Sequence, residues 1–492
     1  MNLKSEHNSG VMATFSRLLS YPVSKTFAAL IVMMLFAGLF AGCSESSGNN
    51  QPSPSRTGLL ISDIHFNPLM DATIANQLAS APASQWDSIF ATSVMTACAT
   101  YMQDTNFALL NTAIAAMKAQ TPNPDIIIIS GDMLVHYFQV LYDNRVTNPT
   151  AAGYKSLVNT TEEYLAMKLM QAFPNAQILP TLGDWDSDMG VVRTPASSAF
   201  LQSFASTWYA AVNRNGSSPG FLDTFSTGGY YSAEIPINPN IRLIGLYTQP
   251  WAEECTSGCS TLGDAEMHWF TQELQDAKEQ GQKVWLLGHI PPGIDANTTA
   301  INIRTHGQTC QEAVTPFWAD VYSSQLYALF AQYNGTIDFG VFAHEHYDDF
   351  RLVNDSSGNF LFGVKFPPSI TPLHNNPAFI AFNYDPGEGV ITDASTSYLT
   401  NLASNPTADT AVWGLEYAFD SAYLQDTFDS RGLLNAVSQI IAQPVSQQAY
   451  INNYPVLYPA GNVLPGGLSP FLGWACALNK LTVADYTGCA CQ

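Results

Sequence analysis

Five short apolar runs, rich in β-branched residues, each break off into Asp or His. TGLLIS (57–62) leads to Asp63 and His65, and DIIIIS (125–130) to Gly131 and Asp132. AQILPTL (176–182) leads to Gly183 and Asp184, QKVWLL (282–287) to Gly288 and His289, and TIDFGVFA (336–343) to His344 and His346. Runs of this length and composition read as buried strands. Helical patterns at Asn106 to Gln120 and Ala265 to Gln280 separate some of them, as βαβ crossovers require. In an α/β sheet the residues just past the carboxyl ends of the strands gather on one rim, where ligands bind. Seven Asp or His side chains would share that rim.

A lone His after a strand is ordinarily a structural residue. Several carboxylates crowded on one rim repel one another, and cations would relieve that repulsion. A mixed His and carboxylate set suits Zn, Fe or Mn better than Ca or Mg, and seven ligands exceed what one tetrahedral ion takes. Two ions sharing a carboxylate is the economical arrangement. Ion pairs about 3.5–4 Å apart are used by hydrolases to activate water and clamp a phosphoryl group.

Charge narrows the partners. With 18 Lys and Arg against 40 Asp and Glu, the formal net charge is -22, which argues against a nucleic-acid partner, whose phosphates need basic side chains. Lys4, Arg17 and Lys25 precede the uncharged run FAALIVMMLFAGLFAG (27–42), which ends in small residues before Cys43. Such a segment reads as a secretory signal, too short for a comfortable membrane span. The ending Phe40 to Cys43 resembles a bacterial lipobox, with Cys43 the lipidated first residue of the mature protein; ordinary signal cleavage and an uncleaved anchor helix are the alternatives. Residues 1–42 are thus expected to be a lipoprotein-type signal peptide and 43–57 a flexible, Ser- and Pro-rich tether.

Export to the cell envelope makes disulfides possible. Cys255 and Cys259 bracket the short loop ECTSGC and are expected to pair; Cys476, Cys489 and Cys491 are expected to hold the C-terminal tail. Seven cysteines besides Cys43 leave one thiol over. His268 lies in a helical pattern and His306 and His374 in loops, so these are read as structural or surface residues, and Trp86, Trp208, Trp251 and Trp318 as core.

The ordered series DIH, GD, GDWD, GH and HEH resembles the calcineurin-like metallophosphoesterases, whose pattern is DxH, GD, GNH, GH and GHxH. GDMLVH, with His136 four residues after Asp132, PTLGDWDSD, HYDDFR and the stretch Pro367 to Asp385 are similar to the acid sphingomyelinase-like branch. The resemblance runs from Gly58 to Gln492. It implies a four-layer α/β/β/α sandwich over 58–404 with a mostly helical C-terminal subdomain over 405–492. It also implies Asp63, His65 and His346 on one metal, His289, His344 and Asp184 on the other, Asp132 bridging, and His136 near the substrate as a catalytic group.

Two positions depart from the pattern. Asp184 stands where the family has Asn, which keeps an oxygen ligand. Trp185 stands where the family has the His often credited with protonating the leaving group, so a candidate general acid is missing. Asp186 and Asp188 read as caps of a following turn or helix. The expectation is an exported, lipid-anchored hydrolase with two divalent ions (Zn, or Fe or Mn) that cleaves phosphoesters, foremost phosphodiesters. The competing reading is a catalytically weakened surface lipoprotein that binds metal or phosphate.

Overall fold

The computed structural model describes residues 56–190, 194–235, 238–252, 255, 259–458 and 471–492. The signal segment 1–42, Cys43 and nearly all of the tether lie outside the described residues. Ser53–Gln492 forms one compact unit, and among the described residues no helix is long and apolar enough to cross a membrane.

Two six-stranded mixed sheets carry the fold. The strands are β1 (Arg56–Ile61), β2 (Ile126–Ile129), β3 (Gln177–Pro180), β4 (Tyr231–Ile235), β5 (Asn238–Gly245), β6 (Lys283–Leu287), β7 (Ile294–Asp295), β8 (Thr315–Pro316), β9 (Ile337–Val341), β10 (Asp349–Asn354), β11 (Phe360–Phe366), β12 (Ala378–Asp385), β13 (Val390–Leu399) and β14 (Trp413–Ala418). The first sheet runs β14-β13-β12-β1-β2-β3 and the second β10-β11-β9-β6-β5-β4, with β7 and β8 forming a small ribbon apart. At the centre of the first sheet β1, β2 and β3 are parallel, with Leu60 opposite Ile128 and Ile128 opposite Leu179. In the second, β5, β6, β9 and β11 are parallel.

The period-two alternation of the second sheet shows how the layers stack. Trp285, Leu287, Phe339 and Val341 join the core shared with Leu59, Ile61, Ile127 and Phe382 of the first sheet. Their neighbours Val284 and Leu286 face the other way, against Phe270, Leu274, Leu326 and Phe330 of the helices Cys259–Glu279 and Asp320–Gln332. Residues 126–129, four isoleucines, are buried throughout, as expected for a parallel strand covered on both faces. On the outer side of the first sheet lies the helix Phe107–Gln120, whose N-cap Asn106 accepts from the Leu109 amide.

The five expected strands are all present, divided three and two between the sheets rather than lined along one. The four tryptophans read as core are buried, and His268, His306 and His374 are exposed. Beyond β14 the chain turns helical, with Ser430–Ala442, Pro444–Asn453, Leu472–Ala477 and Val483–Ala490. Disulfides Cys310–Cys491 and Cys476–Cys489 fasten this tail, and Cys98 is a buried free thiol. Cys255 is disulfide-bonded; the side chain of Cys259 lies outside the described residues.

Candidate metal centre

Loops leaving β1, β2, β3, β6 and β9 converge and are tied to one another through the backbone. The Asp63 amide donates to the Gly131 carbonyl at 3.1 Å, the His65 amide to Asp132 at 2.9 Å, and the Ala343 amide to His289 at 2.8 Å. The turns are tight. Gly131 has φ 90, and a Cβ on Gly183 would overlap the Asp132 carboxylate, so both glycines are required for the close approach. Asp63, His65, Asp132, His344 and His346 have φ of 45, 43, 53, 78 and 67. Left-handed backbone at non-glycine residues is uncommon, and its concentration here marks a site held under strain by its surroundings.

All seven expected side chains come together. The ligand atoms of Asp63, His65, Asp132 and His346 lie within 4.8 Å of one another, and so do those of Asp132, Asp184, His289 and His344. The two buried clusters share one residue, Asp132. Its Oδ2 lies 3.3 Å from His65 Nε2 and 3.2 Å from His289 Nε2. Asp184 Oδ1 lies 3.0 Å from both His289 Nε2 and His344 Nδ1.

The donor chemistry fits cations. Both oxygens of Asp63 are buried without a hydrogen-bond partner. The Nδ1 of His65 faces the Leu134 carbonyl at 3.0 Å, and that of His289 faces the Ser130 carbonyl at 2.7 Å. A carbonyl accepts, so each Nδ1 carries the proton and Nε2 points its lone pair, when the ring is neutral, into the cluster. His65 and His346 bring their Nε2 atoms to 3.2 Å of each other. Where both nitrogens are unprotonated, they are costly to bury face to face unless something positive lies between them. The clusters are consistent with a dimetal site.

Charge in the cluster itself is uneven. Burial pushes the Asp63 carboxyl up to about 7, with the His289 charge opposing and that of Asp132 adding. Burial and the charges of His136 and His346 hold His65 well below the usual imidazole range. Burial, with the charges of His136, His344 and His289, does the same to His346. His289 is raised well above it, because Asp132 and Asp184 outweigh burial. His344 is raised to about 9, Asp184 outweighing burial.

Beside the cluster, His136 stacks on His65 with ring centroids 3.7 Å apart, and its Nδ1 lies 2.6 Å from Asp104 Oδ1. Burial lowers the affinity of His136 for a proton, but the Asp104 bond outweighs it and the net shift is upward. On the other flank a cavity of about 270 Å³, lined by Asp295, Thr298, Phe317 and His344 among others, opens beside the cluster. A larger one, about 550 Å³, lies between the helix Asp320–Gln332 and residues 479–485, and contains none of the clustered residues.

Three residues carry roles that the sequence reading missed or misassigned. Asp186 does not cap a following turn. It reaches back, accepting from the amides of Met133 at 2.8 Å, Leu134 at 3.0 Å and Gly183 at 2.9 Å, and so binds the loop after β2 to the loop after β3. Burial and the charge of Asp132 raise its carboxyl to about 7. Asp188 pairs with Lys155 at 2.8 Å. Asp104 sits in a loop without apolar periodicity, and the only signal for it would have been a partner sought for His136. Behind the HEH segment, Asp348 and Asp349 form buried ion pairs with Lys365 and Arg351. Tyr450 of the C-terminal helices donates to Asp349 at 2.7 Å.

A family model for calcineurin-like phosphoesterases matches residues 59–348. The chain belongs to the calcineurin-like phosphoesterase family and is a metallophosphoesterase with a buried His/Asp binuclear site. Among curated proteins it is similar to Sphingomyelinase phosphodiesterase D of Dictyostelium discoideum, 28% identical over 79% of this chain and 80% of the relative. Acid sphingomyelinase-like phosphodiesterase 3b of Homo sapiens is 23% identical over 79% and 81%. Cyclic GMP-AMP phosphodiesterase SMPDL3A of Mus musculus is 25% identical over 67% and 71%. Among solved structures, PhoD aligns over 74% of this chain and 69% of its own with a TM-score of 0.41 and 11% identity.

Proposed function

We propose that this chain is an exported phosphodiesterase of the acid sphingomyelinase-like kind. The observation that carries the reading is the sharing of Asp132 between two buried His/Asp clusters. Asp63, His65 and His346 would hold one divalent ion, Asp184, His289 and His344 the other, and Asp132 would bridge them. Zinc is the ion proposed, with iron or manganese as alternatives, since imidazole-rich mixed sets suit these metals. When bound, two such ions acidify a water and neutralise charge developing on the phosphoryl group.

The chain's own groups do the remaining work. Carbonyls of Leu134 and Ser130 fix the tautomers of His65 and His289. The Trp185 amide holds Asp132 Oδ1 at 3.0 Å, which leaves the other oxygen of Asp132 toward the two histidines. With Trp185 in place of the usual histidine, His136 is the group that protonates the departing oxygen: Asp104 occupies Nδ1, and Nε2 is left for the substrate.

Export, a lipid anchor at Cys43, and the division into a catalytic domain (58–404) and a helical subdomain (405–492) complete the proposal. The disulfides of the tail fit an extracytoplasmic protein. Metal-loaded protein assayed on a panel of phosphodiesters and monoesters tests the reading. Diester hydrolysis is expected, whereas two bound ions with no turnover on any ester would favour a binding lipoprotein.

A further inference from the structure

The indole of Trp185 does not fill the core. It stands half-buried beside the His/Asp clusters, edge-to-face with His136 at 4.8 Å and 66° and with Tyr137 at 4.9 Å and 68°. Its amide is bonded to Asp132, so the ring is anchored close to the shared carboxylate. Tyr137 is 67% exposed and adopts φ 53, ψ 35 at the N-cap of the helix Phe138–Arg145, where it makes no side-chain capping bond. Left-handed backbone costs an L-residue about 1–2 kcal/mol. Neither burial nor capping compensates for it. What the conformation achieves is to stand a phenol ring against Trp185.

We propose that Trp185 and Tyr137 form a stacking subsite for a planar heteroaromatic ring of the nucleobase class, carried on the phosphate ester. The inference deepens the phosphodiesterase reading and rests on it. Aromatic faces stack bases of any sequence, because every base presents a π-face. A quaternary ammonium also binds aromatic faces, but it is held in cages of rings. Trp185 is half-buried and Tyr137 is 67% exposed, so part of each ring is left to a ligand, and Asp104, the carboxylate beside His136, is already engaged by it.

The test is calorimetric binding to the full metal-loaded chain of adenosine 5′-monophosphate, ribose 5-phosphate and phosphocholine. The first two differ only in the base. Adenosine monophosphate is expected to bind about tenfold tighter than ribose 5-phosphate, within the range that one stacked base contributes. Trp185→Leu and Tyr137→Gly, the latter suited to the left-handed backbone, are each expected to bring that ratio toward one. Equal affinities in the unaltered protein, no binding of either phosphate, or an undiminished ratio in both variants overturns the proposal. So does a phosphocholine affinity that matches that of the nucleotide and falls more in the variants. Binding is read without turnover, so a protein that hydrolyses no diester would sink the phosphodiesterase reading while leaving the stacking result legible.

Discussion

Asp104 Oδ1 lies 2.6 Å from His136 Nδ1, and this bond leaves Nε2 as the nitrogen that the proposed general acid would present to a substrate. It also raises the proton affinity of the ring against the effect of burial, the direction a general acid needs. His136→Ala should cost about 10²–10⁴-fold in kcat on a diester with a poor alcohol leaving group, and much less on a nitrophenyl diester. Asp104→Asn should follow the same pattern more weakly, by about tenfold. Equal losses on the two substrates would reduce both residues to positioning the phosphate.

Charge at Asp184 predicts substrate preference. Two divalent ions bring +4, and Asp63, Asp132 and Asp184 bring -3, against -2 with the family's Asn. The site is therefore less positive than it would be with Asn, which weakens its attraction for a monoester dianion more than for a singly charged diester. Asp184→Asn should raise monoester hydrolysis relative to diester and make metal easier to strip with chelator. Steady-state kinetics on a matched ester pair and chelator titration check this. No change in either would remove Asp184 from the ligand set.

Asp186 binds two ligand loops through three backbone amides. Asp186→Ala would leave buried N–H groups unpaired, each at about 1–3 kcal/mol. Denaturant unfolding should show a loss of at least about 2 kcal/mol, and metal content should fall with it, although Asp186 is not in either cluster. Full metal occupancy in the folded variant would contradict the tie.

Proton competition sets a pH window for metal. In the absence of ions the Asp63 carboxyl titrates at about 7 and His344 at about 9. Below these values an incoming cation must displace the proton, and above them it need not. Affinity should therefore fall with decreasing pH, about tenfold per unit for each proton displaced. Metal affinity measured by competition with a chromophoric chelator between pH 5 and about pH 9 should rise with pH. A flat profile would mean that these groups do not bind the ion.

Much of this was legible in the sequence because strands announce their ends. DIIIIS followed by GD gives the strand, the turn and the carboxylate in eight residues. Period and composition do not say which sheet a strand enters, so the three-and-two division between sheets was not readable; it follows from β3 ending the first sheet while β6 pairs with β5 and β9 in the second. Asp186 was misassigned because capping is a local inference, while its three donors lie before it in the chain and come from two loops. The left-handed backbone of the clustered residues was also hidden: Asp and His are tolerated there, and nothing in their spacing reports φ.

One carboxylate, Asp132, is proposed to serve two ions. Metal content per chain, measured by elemental analysis on folded protein before and after Asp132→Asn alongside diester turnover, tests it most directly. Two equivalents of divalent metal in the unaltered chain, with content and activity falling together in the variant, is the predicted result. Two equivalents and full activity retained in Asp132→Asn would contradict the shared site.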